Sequence, residues 1–157
     1  MPTNWTLRPA RAADAPHMAA VLADAVWGLT GDTYSAAQKQ AWVNSVRSEY
    51  IQSLIALAQH DVWVAEGAGD LLAFGALHVD EVSYLYVRPS CARRGLGSRI
   101  LGVLEQAARH RGAPRLYVRS SLNAQGFYQR HGFHVVRHLI LVREGVPMPS
   151  VDMAKRL

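Results

Sequence analysis

The segment "EVSYLYVRPSCARRGLGSRILGVLEQAARHRGAP" constrains the fold more than any other part of the chain. An apolar, strand-like run ends near Val87 and enters a loop holding Arg93, Arg94, Gly95, Gly97 and Arg99. Beyond it, Ile100, Leu101, Leu104, Ala107 and Ala108 recur at helical spacing as one apolar stripe, and Gly112 with Pro114 ends the run. The spacing predicts a helix over 95–111. A strand that delivers its chain straight into an amphipathic helix needs a sheet on which the stripe can pack, so an α/β chain is expected.

The flanking sequence fits that expectation. "WTLRPA" has the alternation of a first strand, and Asp14 is placed to cap a helix in which Met18, Val21, Leu22 and Val26 share a face. Ser35 is the expected cap of a second helix through "YSAAQKQAWVNSV", and "SEYIQSLIALAQH" reads as a third. "DVWVAEG" and "LLAFGALHV" flank the turn-rich residues Gly67-Ala68-Gly69-Asp70 and predict a hairpin. In the next strand, strict alternation places Glu81, Ser83, Leu85 and Val87 on one face. "RLYVRS" is a strand, "NAQGFYQRHG" a short helix, and the remainder two closing strands. The order is β-ααα-βββ-α-β-α-ββ, within one domain spanning 1–157.

Composition narrows the function. No apolar run approaches the roughly 20 residues of a membrane span, and the first residues lack the apolar core of a secretory signal. The single cysteine, Cys91, excludes an internal disulfide and most zinc sites. A soluble cytoplasmic protein without a metal is the expectation. His131, His134 and His138 have no acid or cysteine at ligand spacing, and no base can be assigned to Cys91 as a nucleophile. The net charge of +5 is unevenly spread: residues 88–143 hold eleven arginines and one acid, Glu105. That half is either a solvated basic face or the place where a polyanion, a nucleic acid or a phosphorylated cofactor, would bind. Because its arginines scatter over helix, strand and turn, with no helix-turn-helix or base-stacking motif, a nucleic acid is not the expected partner.

The loop answers what the anion is for. A helix start presents unpaired N–H groups and partial positive charge, glycines let a phosphate approach the backbone, and arginines add charge-assisted hydrogen bonds. A P-loop is excluded because there is no lysine at its required place. A dinucleotide fingerprint is excluded because Ile100 stands where a third glycine belongs and no ribose-binding acid follows.

"LYVRPSCARRGLGSRIL" resembles the acyl-CoA signature of the GNAT superfamily of N-acyltransferases, [Q/R]-x-x-G-x-[G/A] between strand and helix. Arg93, Arg94, Gly95, Leu96, Gly97 and Ser98 fit it, with Ala92 replacing the usual glutamine or arginine, which implies weaker cofactor affinity. "SSLNAQGFYQRHGF" is similar to a second family pattern, N-x-x-A-x-x-F-Y-x-x-x-G-F, through Ala124, Phe127, Tyr128, Gly132 and Phe133. Ser121 takes the asparagine position and Asn123 follows two places later. This Ser-x-Asn-Ala form, with "YSAAQKQAW" from Tyr34 to Trp42, resembles a small bacterial branch.

The resemblance implies a mixed, mostly antiparallel sheet of six or seven strands flanked by helices, an α+β form of the α/β class. It implies acetyl-CoA as co-substrate, held by Leu85, Tyr86, Val87, the loop from Arg93 to Arg99, Ser121, Asn123, Phe127 and Tyr128. It implies transfer of acetyl to a primary amine of a small molecule, with Tyr128 as general acid, Glu81 or water as general base, and a backbone N–H near Tyr86 or Val87 for the oxyanion. Tyr34 and Trp42, from the early helices, would line the acceptor end, with core packing the alternative for Trp42. A carboxylate such as Glu81, partly buried in a sheet, would have the raised pKa a base needs. A homodimer through the final strands follows from the habit of that fold. The alternative function is a non-catalytic acyl-CoA-binding module.

Overall fold

Met18, Val21, Leu22, Val26, Ile100, Leu101, Leu104 and Ala108 are buried in the computed structural model, which describes residues 4–57 and 59–157, whereas Val136, Ile140 and Val142 are exposed. The strands are β1 (Thr6–Pro9), β2 (His60–Gly67), β3 (Asp70–His78), β4 (Glu81–Val87), β5 (Arg115–Ser121), β6 (His134–Arg143) and β7 (Val146–Arg156). The helices are α1 (Ala15–Leu29), α2 (Ala36–Ser45), α3 (Ser48–Ala56), α4 (Leu96–His110) and α5 (Gln125–Arg130). Residue 58, near the end of the stretch expected as the third helix, lies outside the described residues. The element order is the one the sequence predicts.

The strands form one sheet in the order β1-β2-β3-β4-β5-β7-β6. All neighbours are antiparallel except β4 and β5, which run parallel. Two cores lie against the sheet. Leu96, Ile100, Leu101 and Leu104 of α4 pack with Leu72, Leu77, Val82 and Val118. Met18, Leu22, Val26, Trp42 and Ile51 of α1 to α3 pack with Val64, Leu71 and Phe74. Each wholly buried leucine or isoleucine contributes about 1.5–3 kcal/mol. Close approach of α4 depends on Gly75: a Cβ there would sit 2.5 Å from the Ile100 Cγ2, so any side chain pushes the helix off the sheet.

Local chemistry accounts for the boundaries. Ser35 caps α2 as expected, its Oγ accepting from the Gln38 N–H at 3.1 Å while the Gln38 Oε1 accepts from the Ser35 N–H. The β2–β3 hairpin closes at Gly67 and Asp70, leaving Ala68 and Gly69 as a two-residue turn with both φ values positive, the mirror-image turn that matches strand twist. Asp14 precedes α1 but makes no side-chain cap bond to it. Its carboxylate instead accepts from the Arg11 N–H at 2.7 Å and from both terminal nitrogens of Arg8, so an ion pair has displaced the expected cap.

One expectation about β4 is corrected. Leu77 pairs with Val82 but Ala76 pairs with Tyr84, so Ser83 is an extra residue in the strand. The bulge breaks the alternation: Val82, not Glu81, shares the α4 side with Leu85 and Val87.

Candidate active site

The bulge coincides with the place where the sheet opens. β4 and β5 are paired at Glu81–Tyr117 and Val82–Val118 and then diverge. From Ser83 onward β4 is bonded on its β3 side and faces a gap on the other. The Arg88 N–H donates to the Leu72 carbonyl, on the β3 side. Alternation along an antiparallel strand therefore turns the N–H groups of Leu85 and Val87 into the gap.

The gap widens into a cleft of about 590 Å³. Leu85, Tyr86 and Val87 form one wall, Ala92, Arg93, Gly95, Gly97 and Ser98 the glycine-loop wall, and Ser121, Asn123, Phe127 and Tyr128 the facing wall. Val26 and Leu29 of α1, Thr30 just beyond its end and Arg130 of α5 also line it; amphipathic periodicity placed Val26 on the core face and gave no sign of this second role.

The loop is shaped for an anion. Arg93 and Gly95 both have left-handed backbones, at φ 61° and 83°. Glycine carries that conformation without strain, whereas Arg93 holds it at a cost of about 1–3 kcal/mol. Arg99 donates the first helical bond of α4, to the Gly95 carbonyl. The six N–H groups from Arg93 to Ser98 meet no backbone acceptor among the described residues. Consecutive unpaired N–H groups at a helix start, with the Arg93 side chain on the same wall, suit the oxygens of a phosphate or pyrophosphate.

Three expected loop contacts are not made by side chains. Leu96 is 1% exposed and belongs to the α4 core. Arg99 lays its guanidinium over the Trp5 ring, 5.5 Å from the centroid, and its N–H is already bonded within the helix. Arg94 is exposed and lies outside the cleft wall. For Leu96 and Arg99 helical geometry turns the side chain away, while the cleft is lined by their neighbours. Cys91, 1% exposed, is a core residue. His131 joins the two walls: one ring nitrogen meets the Phe127 carbonyl at 2.8 Å and the other the Ser98 hydroxyl at 2.9 Å. Since a carbonyl accepts and never donates, Nδ1 carries the proton and Nε2 is free to accept from Ser98.

A smaller cleft of about 140 Å³ adjoins it. It shares Trp42, Leu85, Tyr86, Ser121, Ala124 and Tyr128 with the first, so the two meet at one wall. Tyr34 and Trp42 both line it, and both are also packed in the core beside α1. Tyr34 precedes α2 rather than lying within it, and its ring meets Trp42 edge-on at 5.5 Å. Its hydroxyl donates to the Pro149 carbonyl at 2.6 Å and accepts from the Leu122 N–H at 3.0 Å, so Tyr34 offers the cleft only its ring. The Trp42 Nε1 donates to the Tyr86 hydroxyl at 3.1 Å. Tyr84, Arg119, Arg143 and Ser150 also line this cleft and were not singled out from the sequence. They come from four strands, β4 to β7, and no local motif marks them.

Tyr128 stands at the shared wall, 5% exposed. Burial pushes its hydroxyl pKa upward, with the neighbouring Tyr86 adding to the shift. No described residue accepts a hydrogen bond from that hydroxyl, yet it is not sealed from the surface. Glu81 is exposed at the start of β4 and lines neither cleft, because the bulge and the two paired residues hold it at the closed end of the gap. The expected partial burial of this carboxylate is therefore not found. No aspartate or glutamate lines either cleft among the described residues.

Comparison with known proteins agrees with this architecture. The chain is 28% identical over 134 residues to the uncharacterized N-acetyltransferase YafP of Escherichia coli K12, covering 85% of this chain and 84% of that one. It superposes with a TM-score of 0.90 and 28% identity on a GCN5-related N-acetyltransferase from Rhodopseudomonas palustris, covering 100% and 98% of the two chains. The PaiA N-acetyltransferase of Thermoplasma acidophilum, solved in complex with coenzyme A, shares the fold at TM-score 0.81 and 18% identity, over 99% and 100% of the chains. Residues 30–157 match the acetyltransferase (GNAT) domain, and with that match the chain belongs to the GNAT family of N-acetyltransferases.

Proposed function

We propose that this chain transfers the acetyl group of acetyl-CoA to a primary amine of a small molecule by direct attack. Bound acetyl-CoA would supply a thioester whose carbonyl carbon accepts the amine. The unpaired N–H groups from Arg93 to Ser98 would hold the pyrophosphate, with Arg93 adding charge. Ala92 offers no side-chain donor there, so the backbone carries that end. The larger cleft, between β4 and the Ser121–Tyr128 wall, has room for the rest of the coenzyme. The inward N–H groups of Leu85 and Val87 are placed to donate to the carbonyl oxygen as it gains negative charge.

The observation that carries the reading is Tyr128: buried, unpaired, and common to the walls of both clefts. Its raised pKa keeps the proton on the phenol throughout the neutral range. The same low-polarity surroundings penalise a departing thiolate, so a hydrogen bond from the phenol to sulfur gains strength as charge builds there. The amine's proton leaves through water, because Glu81 stands outside both clefts. The smaller cleft suits a compact acceptor.

The test is Tyr128→Phe. Acetyl-CoA affinity, measured by calorimetry, should stay within a few fold of the parent, while kcat against an accepted amine falls about a hundredfold or more. Unchanged turnover would remove Tyr128 as the acid. A protein that binds acetyl-CoA but acetylates no amine would be a binding module instead.

A further inference from the structure

The smaller cleft contains a cation that nothing in the fold uses fully. Arg143, at the end of β6, is partly buried in its wall. Of the five N–H donors on a guanidinium, one bonds the Ser45 Oγ at 3.0 Å. The group also lies over the Trp42 ring, 5.9 Å from the centroid. Among the described residues no carboxylate comes within ion-pair distance of it.

Its surroundings sharpen the contrast. Arg119, the other arginine of this cleft, is neutralised by a two-pronged pair with Asp152 at 2.7 and 3.1 Å. Asp152 also accepts from Arg137 and does not line the cleft. Glu144, next to Arg143 in the chain, lines a separate groove beside Tyr50. The charge of Arg143 instead acts on Tyr34, Tyr84 and Tyr86, opposing the burial that raises the pKa of each hydroxyl. A partly buried guanidinium fixed by Ser45 and Trp42, with donors to spare and aromatic walls around it, is a preformed receptor for an anionic oxygen group.

We infer that the acceptor is an amine that also carries an anionic oxygen group, a carboxylate or a phosphate, which Arg143 binds while the amine reaches the wall at Tyr128. This inference rests on the proposed acetyl transfer and names its acceptor class. The anion anchors one end of the acceptor, the rings of Trp42, Tyr84 and Tyr86 cover its body, and the amine is directed toward the gap in the sheet. The cleft's lack of acids follows: a carboxylate there would hold a cationic amine away from the thioester and keep it protonated.

The experiment is an acceptor panel matched in length: alkylamines, ω-amino carboxylates and aminoalkyl phosphates, with kcat and KM measured at saturating acetyl-CoA. Binding of each amine to the protein loaded with coenzyme A is followed by calorimetry. The expected result is at least a tenfold advantage in kcat/KM or affinity for the anionic members. The carboxylate and phosphate arms show which anion fits. In Arg143→Gln that advantage disappears through KM, with kcat, neutral amines and acetyl-CoA affinity little changed. Arg143→Lys retains part of it. Should neutral and anionic amines serve equally, in turnover and in binding, or should Arg143→Gln weaken both alike, the inference is overturned while acetyl transfer stands. Failure of the parent protein to bind acetyl-CoA would strike the transfer reading itself.

Discussion

At the glycine-loop end of the site, the receptor proposed for an anion is main chain: the N–H groups of residues 93 to 98 meet no backbone acceptor among the described residues, around left-handed backbones at Arg93 and Gly95. At the opposite end the wall is made of side chains from α2, β4, β5, β6 and β7. The Tyr34 hydroxyl there bonds a carbonyl 115 residues away. A main-chain receptor needs a permissive backbone and depends little on side-chain identity. A side-chain receptor needs distant elements held in register, and a single substitution can redirect it. The donor end is therefore suited to one ligand, and the acceptor end to variation.

This contrast can be broken most strongly at Gly95. A valine there would have to adopt φ 83°, which a β-branched residue resists. Gly95→Val should weaken acetyl-CoA binding by about ten- to a hundredfold, read by calorimetry, in line with 1–3 kcal/mol of backbone strain. Equal affinity would show that the main-chain receptor is not used.

Next in size is Tyr34→Phe, which leaves the Leu122 N–H and the Pro149 carbonyl without their partner. About 2 kcal/mol of stability should be lost in urea unfolding, with donor affinity nearly unchanged. A matching loss of donor affinity would mean that the two ends are mechanically one.

A pH titration separates them further from the rest of the fold. Burial, then His78, then Arg111 lower the His60 pKa. The unfolded chain then takes up this proton first, so stability falls as pH drops below about 6.5. Asp14 and Asp152 are lowered by Arg8 and by Arg119 with Arg137, so their contribution is present above the ordinary carboxylate range and is lost as pH falls through it, near 4. His60→Gln should flatten the first decline in a pH series of unfolding midpoints and leave the second. A slope between pH 7 and 5 that survives the substitution would exclude His60 as its source.

The smallest effect is expected at Glu81. Glu81→Gln should keep kcat within about twofold, whereas loss of a general base costs a hundredfold or more. A loss of that larger size would restore the carboxylate as base.

How much of this was legible in the sequence follows from the same contrast. The element order, the Ser35 cap and the glycine loop could be read because each depends on neighbours in the chain. Tyr128 was singled out through the resemblance of the local stretch "SSLNAQGFYQRHGF" to a family pattern. Arg143, Tyr84 and Ser150 were not, since their convergence depends on how β6 and β7 register on β5. The extra residue at Ser83 carries no glycine or other turn signal, so strict alternation put Glu81 on the wrong face. Asp14 had the chemistry of a cap and found a stronger partner in Arg8, which only the folded chain brings near.

Because β4 and β5 meet at two residue pairs, the sheet is in effect two panels joined along a narrow seam: β1 to β4 on one side, β5 to β7 on the other. A molecule lodged in the opening touches both panels and acts as a strut where the ladder is missing. Its binding free energy then appears as resistance of the whole domain to unfolding, rising with RT ln(1 + [L]/Kd). The panels should be held most firmly together while the donor is in place, and that coupling gives a route to finding acceptors by thermal shift, even for amines that are never acetylated.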